Sequence, residues 1–269
     1  MLTRTDTYLT GLIGAGIGTS LSPPLHEREA AELGLRYAYR TLELREPLDQ
    51  LLARAVDAGF DGLNITHPCK REVLSLLDEL SPDAEALGAV NTVVIRDGHT
   101  TGHNTDTTGF AESVRRGLPG AALDRVVLVG AGGAGSAVAH ALRELGCGEL
   151  AIFDADSERA SALAAAVGGI ALSELELDAD GLVHATPTGM EGHGGIPFDP
   201  APLQPNTWVA DIVYRPLETP LLRAARARGC RTLHGGGMVV FQAAGSFELF
   251  TGIRPDRERM LRHFAELTA

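Results

Sequence analysis

The sequence predicts an α/β fold whose second half is a doubly wound, mostly parallel sheet. Three observations carry this. Val126–Val129 is an apolar run rich in β-branched residues and too short for a helix, so it reads as a buried strand. It runs directly into Gly130-Ala131-Gly132-Gly133-Ala134-Gly135, after which Ala137, Val138, Ala141, Leu142 and Leu145 recur at helical spacing until Gly146. A second apolar run, Leu150–Phe153, ends at Asp154, nineteen residues beyond Gly135.

Strand, glycine turn, helix and strand form a unit suited to a dinucleotide. Gly130 and Gly132 permit a tight turn whose backbone N–H groups meet a pyrophosphate, and Gly135 lets the helix lie close to the strand. The helix N-terminus adds partial positive charge. An acid at the tip of the second strand can accept both hydroxyls of an adenosine ribose. An ordinary tight turn in a doubly wound sheet is the alternative.

Composition narrows the partners. The net charge of −12 disfavours nucleic acid and anionic membrane, both of which need a basic face. A small acidic ligand needs only a local positive site and remains compatible. Hydrophobic residues make up 44% of the chain, enough for two ordinary cores. Cys69, Cys147 and Cys230 are far apart and contain no CxxC pair, so they read as reduced thiols of a cytoplasmic protein without a metal site. Cys69 beside Lys70 is either a packing residue or a thiol with its pKa lowered by the cation. The first residues, MLTRTDTYLTG, carry no apolar leader segment, and no stretch approaches a membrane span. Oligomeric state is left open between monomer and homodimer.

In chain order, Tyr8–Ile17 reads as a strand entering a glycine-rich loop. The loop lacks the GK[ST] of a phosphate-binding P-loop. Pro23 and Pro24 suit the first turn of a helix running to Gly34. Ser20 and Ser22 precede it, placed either to cap the helix or to hold a carboxylate. Arg36–Leu42 reads as a strand, Pro47–Ala58 as an amphipathic helix and Gly62–Thr66 as a short strand. Pro68 is expected to begin a helix reaching about Leu80, with Lys70 in its first turn against the helix dipole.

Ser81-Pro82 starts another helix. Leu87–Ile95 reads as a strand containing Asn91, which serves either a structural bond or a ligand. Asp97-Gly98 marks a hairpin. Asn104-Thr105-Asp106 suits an Asx turn capping a helix over Thr107–Arg116. Beyond the glycine unit, Ser157–Val167 reads as a helix and Leu182–Thr186 as a strand ending in a Pro187-Thr188-Gly189-Met190 loop. Strands over Trp208–Val213 and Thr232-Leu233, a helix over Thr219–Arg228, a long apolar helix to Phe250 and a helix over Met260–Leu267 complete the reading. No internal repeat or low-complexity segment is present.

Taken together, the sequence resembles the shikimate dehydrogenase family over nearly its whole length. The carrying segments are S-L-S-P-P-L-H at Ser20–His26, N-I-T-H-P-C-K at Asn64–Lys70, G-A-V-N-T-V at Gly88–Val93 and G-H-N-T-D-T-T-G at Gly102–Gly109. They continue with the glycine turn, A-T-P-T-G-M from Ala185 and G-G-G-M-V-V-F-Q at Gly235–Gln242.

The resemblance implies an N-terminal α/β substrate domain (residues 1–106 and 238–269), a C-terminal Rossmann dinucleotide domain (residues 107–237) and a cleft between them. It also implies interconversion of a ring alcohol and its 3-dehydro ketone. By position, Ser20 and Ser22 would hold the substrate carboxylate. Thr66, Lys70, Asn91, Asp106, Tyr214 and Gln242 would hold ring hydroxyls, with Lys70 and Asp106 as the catalytic pair. Coenzyme would meet Gly130, Ala131, Gly132, Gly133, Ala134, Gly135, Asp154, Arg159, Thr186, Pro187, Ile212, Gly235 and Met238.

NADP-using members typically carry an Asn-Arg-Thr type sequence where this chain has Asp154-Ala155-Asp156-Ser157. Asp154 favours a free ribose hydroxyl, so NAD is expected over NADP. Arg159 nearby would stack on adenine, meet a phosphate or stay solvated. The pattern is most similar to the NAD-dependent quinate/shikimate dehydrogenases of actinobacterial type. Ser22, where quinate-preferring relatives often have threonine, leans toward shikimate or dual use. An aminoshikimate-type substrate, an NADP-dependent biosynthetic enzyme and a non-catalytic nucleotide sensor are the rival readings.

Overall fold

The computed structural model describes residues 7–269. The reading of a leaderless start falls largely on residues 1–6, outside the described residues. The chain forms two compact units. One comprises Met1–Thr105 and Val240–Ala269, the other Asp106–Val239.

The first unit opens with β1 (Thr7–Gly14), α1 (Ser22–Glu32), β2 (Arg36–Glu43), α2 (Leu48–Asp57), β3 (Gly62–Ile65), β4 (Glu79–Leu80), α3 (Pro82–Leu87), β5 (Thr92–Arg96) and β6 (His99–His103). The second contains α4 (Asp106–Gly117), β7 (Arg125–Val129), α5 (Gly133–Glu144), β8 (Glu149–Phe153), α6 (Ser157–Val167), β9 (Ile170–Ala171), β10 (Gly181–His184), β11 (Trp208–Asp211), α7 (Pro220–Ala227) and β12 (Arg231–His234). α8 (Gly236–Thr251) carries the chain back to the first unit, which ends with α9 (Arg257–Leu267).

The sheet of the first unit runs β2-β1-β3-β5-β6-β4. β1 pairs in parallel with β2 and β3, and β5 is antiparallel to both β3 and β6. The β5–β6 hairpin turns at Asp97 and Gly98, both at positive φ (52° and 81°), the backbone that an Asp-Gly pair favours. α2 buries Leu48, Leu51, Leu52 and Ala55, a helical stripe that supplies much of this unit's core. Ser81 caps α3 by accepting the Ala84 N–H, and Gly88 ends it in the left-handed region.

α1 and α9 are joined by a buried ion pair. Glu29, 0% exposed, accepts from Arg259 Nε at 2.8 Å, from Arg259 Nη2 at 2.6 Å and from the Asp256 N–H at 2.7 Å. Three bonds on one carboxylate offset the cost of removing it from water. Beside it, His26 sits among Tyr37, Tyr39, Phe247 and Phe250. Complete burial holds its pKa down at about 3, so it packs as a neutral ring.

The sheet of the second unit runs β12-β11-β10-β7-β8-β9, with every pairing parallel. This is the doubly wound order, and its direction reverses between β7 and β10. Val126, Val127 and Leu128 are buried, as a strand covered on both faces requires.

The expected helix from Pro68 does not form. The Lys70 carbonyl, which Leu74 would need in an α-helix, accepts the Val90 N–H at 2.8 Å, and the Leu74 N–H turns to Arg71 O instead. The segment is a turn followed by a 3₁₀ helix over Glu72–Leu76 and the short β4. Lys70 therefore does not oppose an α-helix dipole. Asn91 lies just before β5 rather than within a longer strand, and Asp106 is the first residue of α4 rather than its external cap.

Candidate active site

In the first unit the polar residues gather at one end of the central strands. β1 and β3 end there at Gly14 and Ile65, β6 ends there at His103 and β5 starts there at Thr92. Thr66 follows β3, and its N–H donates to Ile13 O at 2.9 Å. Bonds from Ile65 N–H to Asn91 O (2.8 Å) and from Val90 N–H to Lys70 O bring the 66–70 segment beside Asn91.

Asn91 is 3% exposed and fully oriented. Its Oδ1 accepts the Thr105 N–H (2.8 Å) and the Thr92 hydroxyl (2.9 Å), while its Nδ2 donates to Thr105 Oγ1 (2.9 Å). The structural role foreseen for Asn91 is thus present, and it fixes the residue immediately before Asp106. α8 packs closely here: a Cβ on Gly245 would lie 3.3 Å from Thr105 Cβ. Gln242, one turn earlier on α8, is half-buried.

Glu43 anchors the loop after β1, accepting the N–H groups of Gly16 (2.6 Å) and Ile17 (3.3 Å). Ser20 Oγ then accepts the Ser22 N–H at 3.2 Å, a capping bond, although the cap position itself is Leu21. The Ser22 hydroxyl lies toward Tyr39, whose phenol burial holds well above its usual range. Tyr39 in turn donates to Asn64 Oδ1 at 2.8 Å. Tyr39, Asn64 and Glu43 escaped the sequence reading of individual roles. The available signal was Asn64, a polar residue inside the wholly buried strand Gly62–Ile65. Cys69 is buried and burial raises its pKa, which supports the packing role.

The glycine turn of the second unit occupies the topological switch point. A Cβ on Gly135 would lie 2.0 Å from Gly130 O, and one on Gly130 would lie 2.7 Å from Ala185 O. Only hydrogen fits at either place, so the turn, α5 and the end of β10 converge. No side chain caps α5 at Gly132, and no acid lies in its first turn. Its N-terminal N–H groups suit a pyrophosphate.

Asp154 reaches back across the turn. Its Oδ2 accepts the Ala131 N–H at 2.7 Å, and its Oδ1 accepts the Asp156 N–H at 2.9 Å. Asp156 caps α6, accepting from Glu158 and Arg159 N–H groups, and its Oδ2 lies 3.1 Å from Arg159 Nε. The exposed Arg159 side chain pairs with Asp156 rather than Asp154. Thr186 and Pro187 follow β10, and Ile212 and Tyr214 follow β11. Gly235 lies against Ile212, where a Cβ would be 2.0 Å from the Ile212 oxygen. Met238 is buried near Phe110 and Ala210. Burial raises the Tyr214 phenol pKa, an effect Arg215 opposes.

Of the residues expected to serve together, Ser20, Ser22, Thr66, Lys70, Asn91 and Gln242 fall in the first unit. Asp106, Tyr214 and the expected coenzyme residues fall in the second. No group of metal-ligating side chains occurs among the described residues, and none of their helices is long and apolar enough to cross a membrane.

These features define a two-unit α/β protein with a dinucleotide-type sheet. Residues 12–93 match the shikimate dehydrogenase substrate binding domain, and residues 235–263 match the shikimate 5'-dehydrogenase C-terminal domain. A shikimate dehydrogenase (NADP(+)) of Streptomyces avermitilis is 59% identical, covering 97% of this chain and 96% of the relative. A quinate/shikimate dehydrogenase (NAD(+)) of Corynebacterium glutamicum is 48% identical, covering 97% and 99%. The solved structure of quinate dehydrogenase from Corynebacterium glutamicum in complex with NAD superposes with a TM-score of 0.91 at 47% identity, again covering 97% and 99%. The chain belongs to the shikimate dehydrogenase family. Its relatives comprise both NAD and NADP forms.

Proposed function

We propose that the protein interconverts shikimate, quinate or both with the corresponding 3-dehydro ketone, using NAD. The observation that carries the coenzyme choice is Asp154 at the tip of β8. Its carboxylate is held by two backbone N–H groups and retains lone pairs for ribose hydroxyls. A 2′-phosphate there would face a fixed like charge, at a cost on the order of a few kcal/mol. Arg159 pairs with Asp156 at 3.1 Å rather than with Asp154. The 59%-identical NADP relative makes this choice a sharp one to test.

When bound, the nicotinamide supplies hydride exchange with the ring carbon. Ser20 and Ser22 hold the substrate carboxylate, and Thr66, Asn91, Tyr214 and Gln242 orient the ring hydroxyls. Oxidation requires the reacting hydroxyl to lose its proton as the C–H bond breaks. Lys70 takes that proton and returns it in the reverse direction, with Asp106 as its partner. The ammonium form of Lys70 also stabilises developing alkoxide charge. Coenzyme is held by the Gly130–Gly135 turn, Asp154, Thr186, Pro187, Ile212, Gly235 and Met238. The three cysteines, all unpaired and buried, fit a reducing, cytoplasmic setting.

The test is reduced-nicotinamide absorbance with shikimate or quinate, each with NAD or NADP. Turnover with NAD and little with NADP is the expected result. Turnover with NADP alone would overturn the coenzyme reading. Silence in all four mixtures would overturn the substrate reading.

A further inference from the structure

His184 and Asp211, the last residues of β10 and β11, stand opposite one another in register, and both side chains are 0% exposed. His184 Nδ1 lies 2.9 Å from Asp211 Oδ1. The same oxygen accepts the Val213 N–H at 3.0 Å, and Oδ2 accepts the Thr219 hydroxyl at 2.7 Å. Thr219 Oγ1 accepts the Leu222 N–H and so caps α7.

The rest of the hydrogen-bond network places a proton on the imidazole Nδ1. A carboxylate that accepts on both oxygens requires a proton on Nδ1. Nε2 shares a hydrogen bond with the Thr186 hydroxyl. Thr186 Oγ1 then accepts the Thr188 N–H at 3.3 Å and lies 3.3 Å from Thr188 Oγ1. One relay therefore runs from the α7 cap through Asp211 and His184 to the turn after β10.

Packing alone does not call for this relay. The neighbouring residues Leu182, Val183, Val209 and Ala210 are apolar and buried, and apolar residues in place of a buried polar pair are often as stable or more so. The relay ends at the switch point, on the turn beside Gly130. We propose that His184 and Asp211 are positioning residues for the coenzyme. Acting through Thr186, they hold the Thr186–Gly189 turn in the shape that receives the dinucleotide. This rests on the coenzyme site proposed above.

The test compares wild type with Thr186→Val, Thr186→Ser and Asp211→Asn. Reduced-coenzyme affinity is measured by fluorescence titration, substrate KM by steady-state kinetics and the His184 Nδ1 proton by NMR. Thr186→Val and Asp211→Asn are expected to weaken NADH binding by about tenfold, the scale of one unsatisfied buried bond. Thr186→Ser, which keeps the hydroxyl, should stay within about twofold, and substrate KM should move less than coenzyme affinity.

The downfield Nδ1 proton should be present in wild type, absent in Asp211→Asn and shifted by NADH. Normal NADH affinity in Thr186→Val overturns the proposal, as does an Nδ1 signal indifferent to NADH. If Asp211→Asn fails to fold, the Thr186 pair still decides, because it alters only the half-buried end of the relay. A wild-type protein that binds neither NADH nor NADPH would instead overturn the coenzyme site itself.

Discussion

The Asp154 carboxylate accepts the Ala131 N–H at 2.7 Å, so the acid proposed to face the ribose also closes the glycine turn. Two substitutions separate these roles. Asp154→Asn keeps a side-chain acceptor for the turn and removes the charge. It should shift the NADP-to-NAD ratio of kcat/KM toward NADP by about tenfold or more, the equivalent of 1.4 kcal/mol of relieved repulsion. Asp154→Ala removes the acceptor too. It should weaken both coenzymes and lower stability by about 1 kcal/mol. Kinetics with both coenzymes and thermal melts check this. An unchanged ratio in Asp154→Asn would refute the charge argument.

Lys70→Ala should lower kcat by about 10²–10⁴-fold, the usual contribution of a positioned acid–base group. NADH affinity should hold, because the residues proposed to hold the coenzyme lie in the other unit's sequence. A Lys70→Ala enzyme with normal kcat would remove Lys70 from the proton transfer.

Thr105→Val should act through Asn91. The variant is nearly isosteric but strips the Asn91 amide of an acceptor. A loss of about 1–3 kcal/mol in stability is expected, with a substrate KM raised more than the coenzyme KM. Equal effects on both KM values would mean that Thr105 supports folding rather than the position of Asn91.

His26 gives the protein an acid-side liability. Its pKa is about 3 in the fold against 6.5 for an ordinary histidine. Between those values the unfolded chain binds a proton that the folded chain refuses, so stability falls as pH drops below 6.5. The slope reaches at most about 1.4 kcal/mol per pH unit. His26→Gln can still meet Tyr37 and Ser246, and it should flatten the decline in urea midpoint from neutral to mildly acid pH. Parallel curves for variant and wild type would count against this account.

The second half of the fold was the more legible part of the sequence. Val126–Val129, the glycines and Leu150–Phe153 each carry a local signal strong enough to fix a parallel βαβ unit. The segment after Pro68 misled because its pattern is helical, with Cys69 and Val73 facing the core. What stops the helix is Val90, twenty positions away, which takes the Lys70 carbonyl. No local pattern contains that bond. The site divides the same way. Ser20, Lys70, Asn91 and Asp106 stand out through their motifs, whereas Tyr39 and Glu43 look like ordinary strand residues. Their importance comes from Asn64, Ser22 and the loop backbone that folding brings to them.

The Glu29–Arg259 pair has a consequence for the order in which a nascent chain can fold. Its partners are 230 residues apart, and everything in Asp106–Val239 leaves the ribosome between them. The second unit is one unbroken stretch and can close on its own while Glu29 still waits for its cation. The unit synthesised first is therefore the last to be completed. Until α9 arrives, burying Glu29 would strand a lone carboxylate at a cost of about 3–5 kcal/mol. Closing the early half of the protein around Glu29 therefore costs least once the late half has been made.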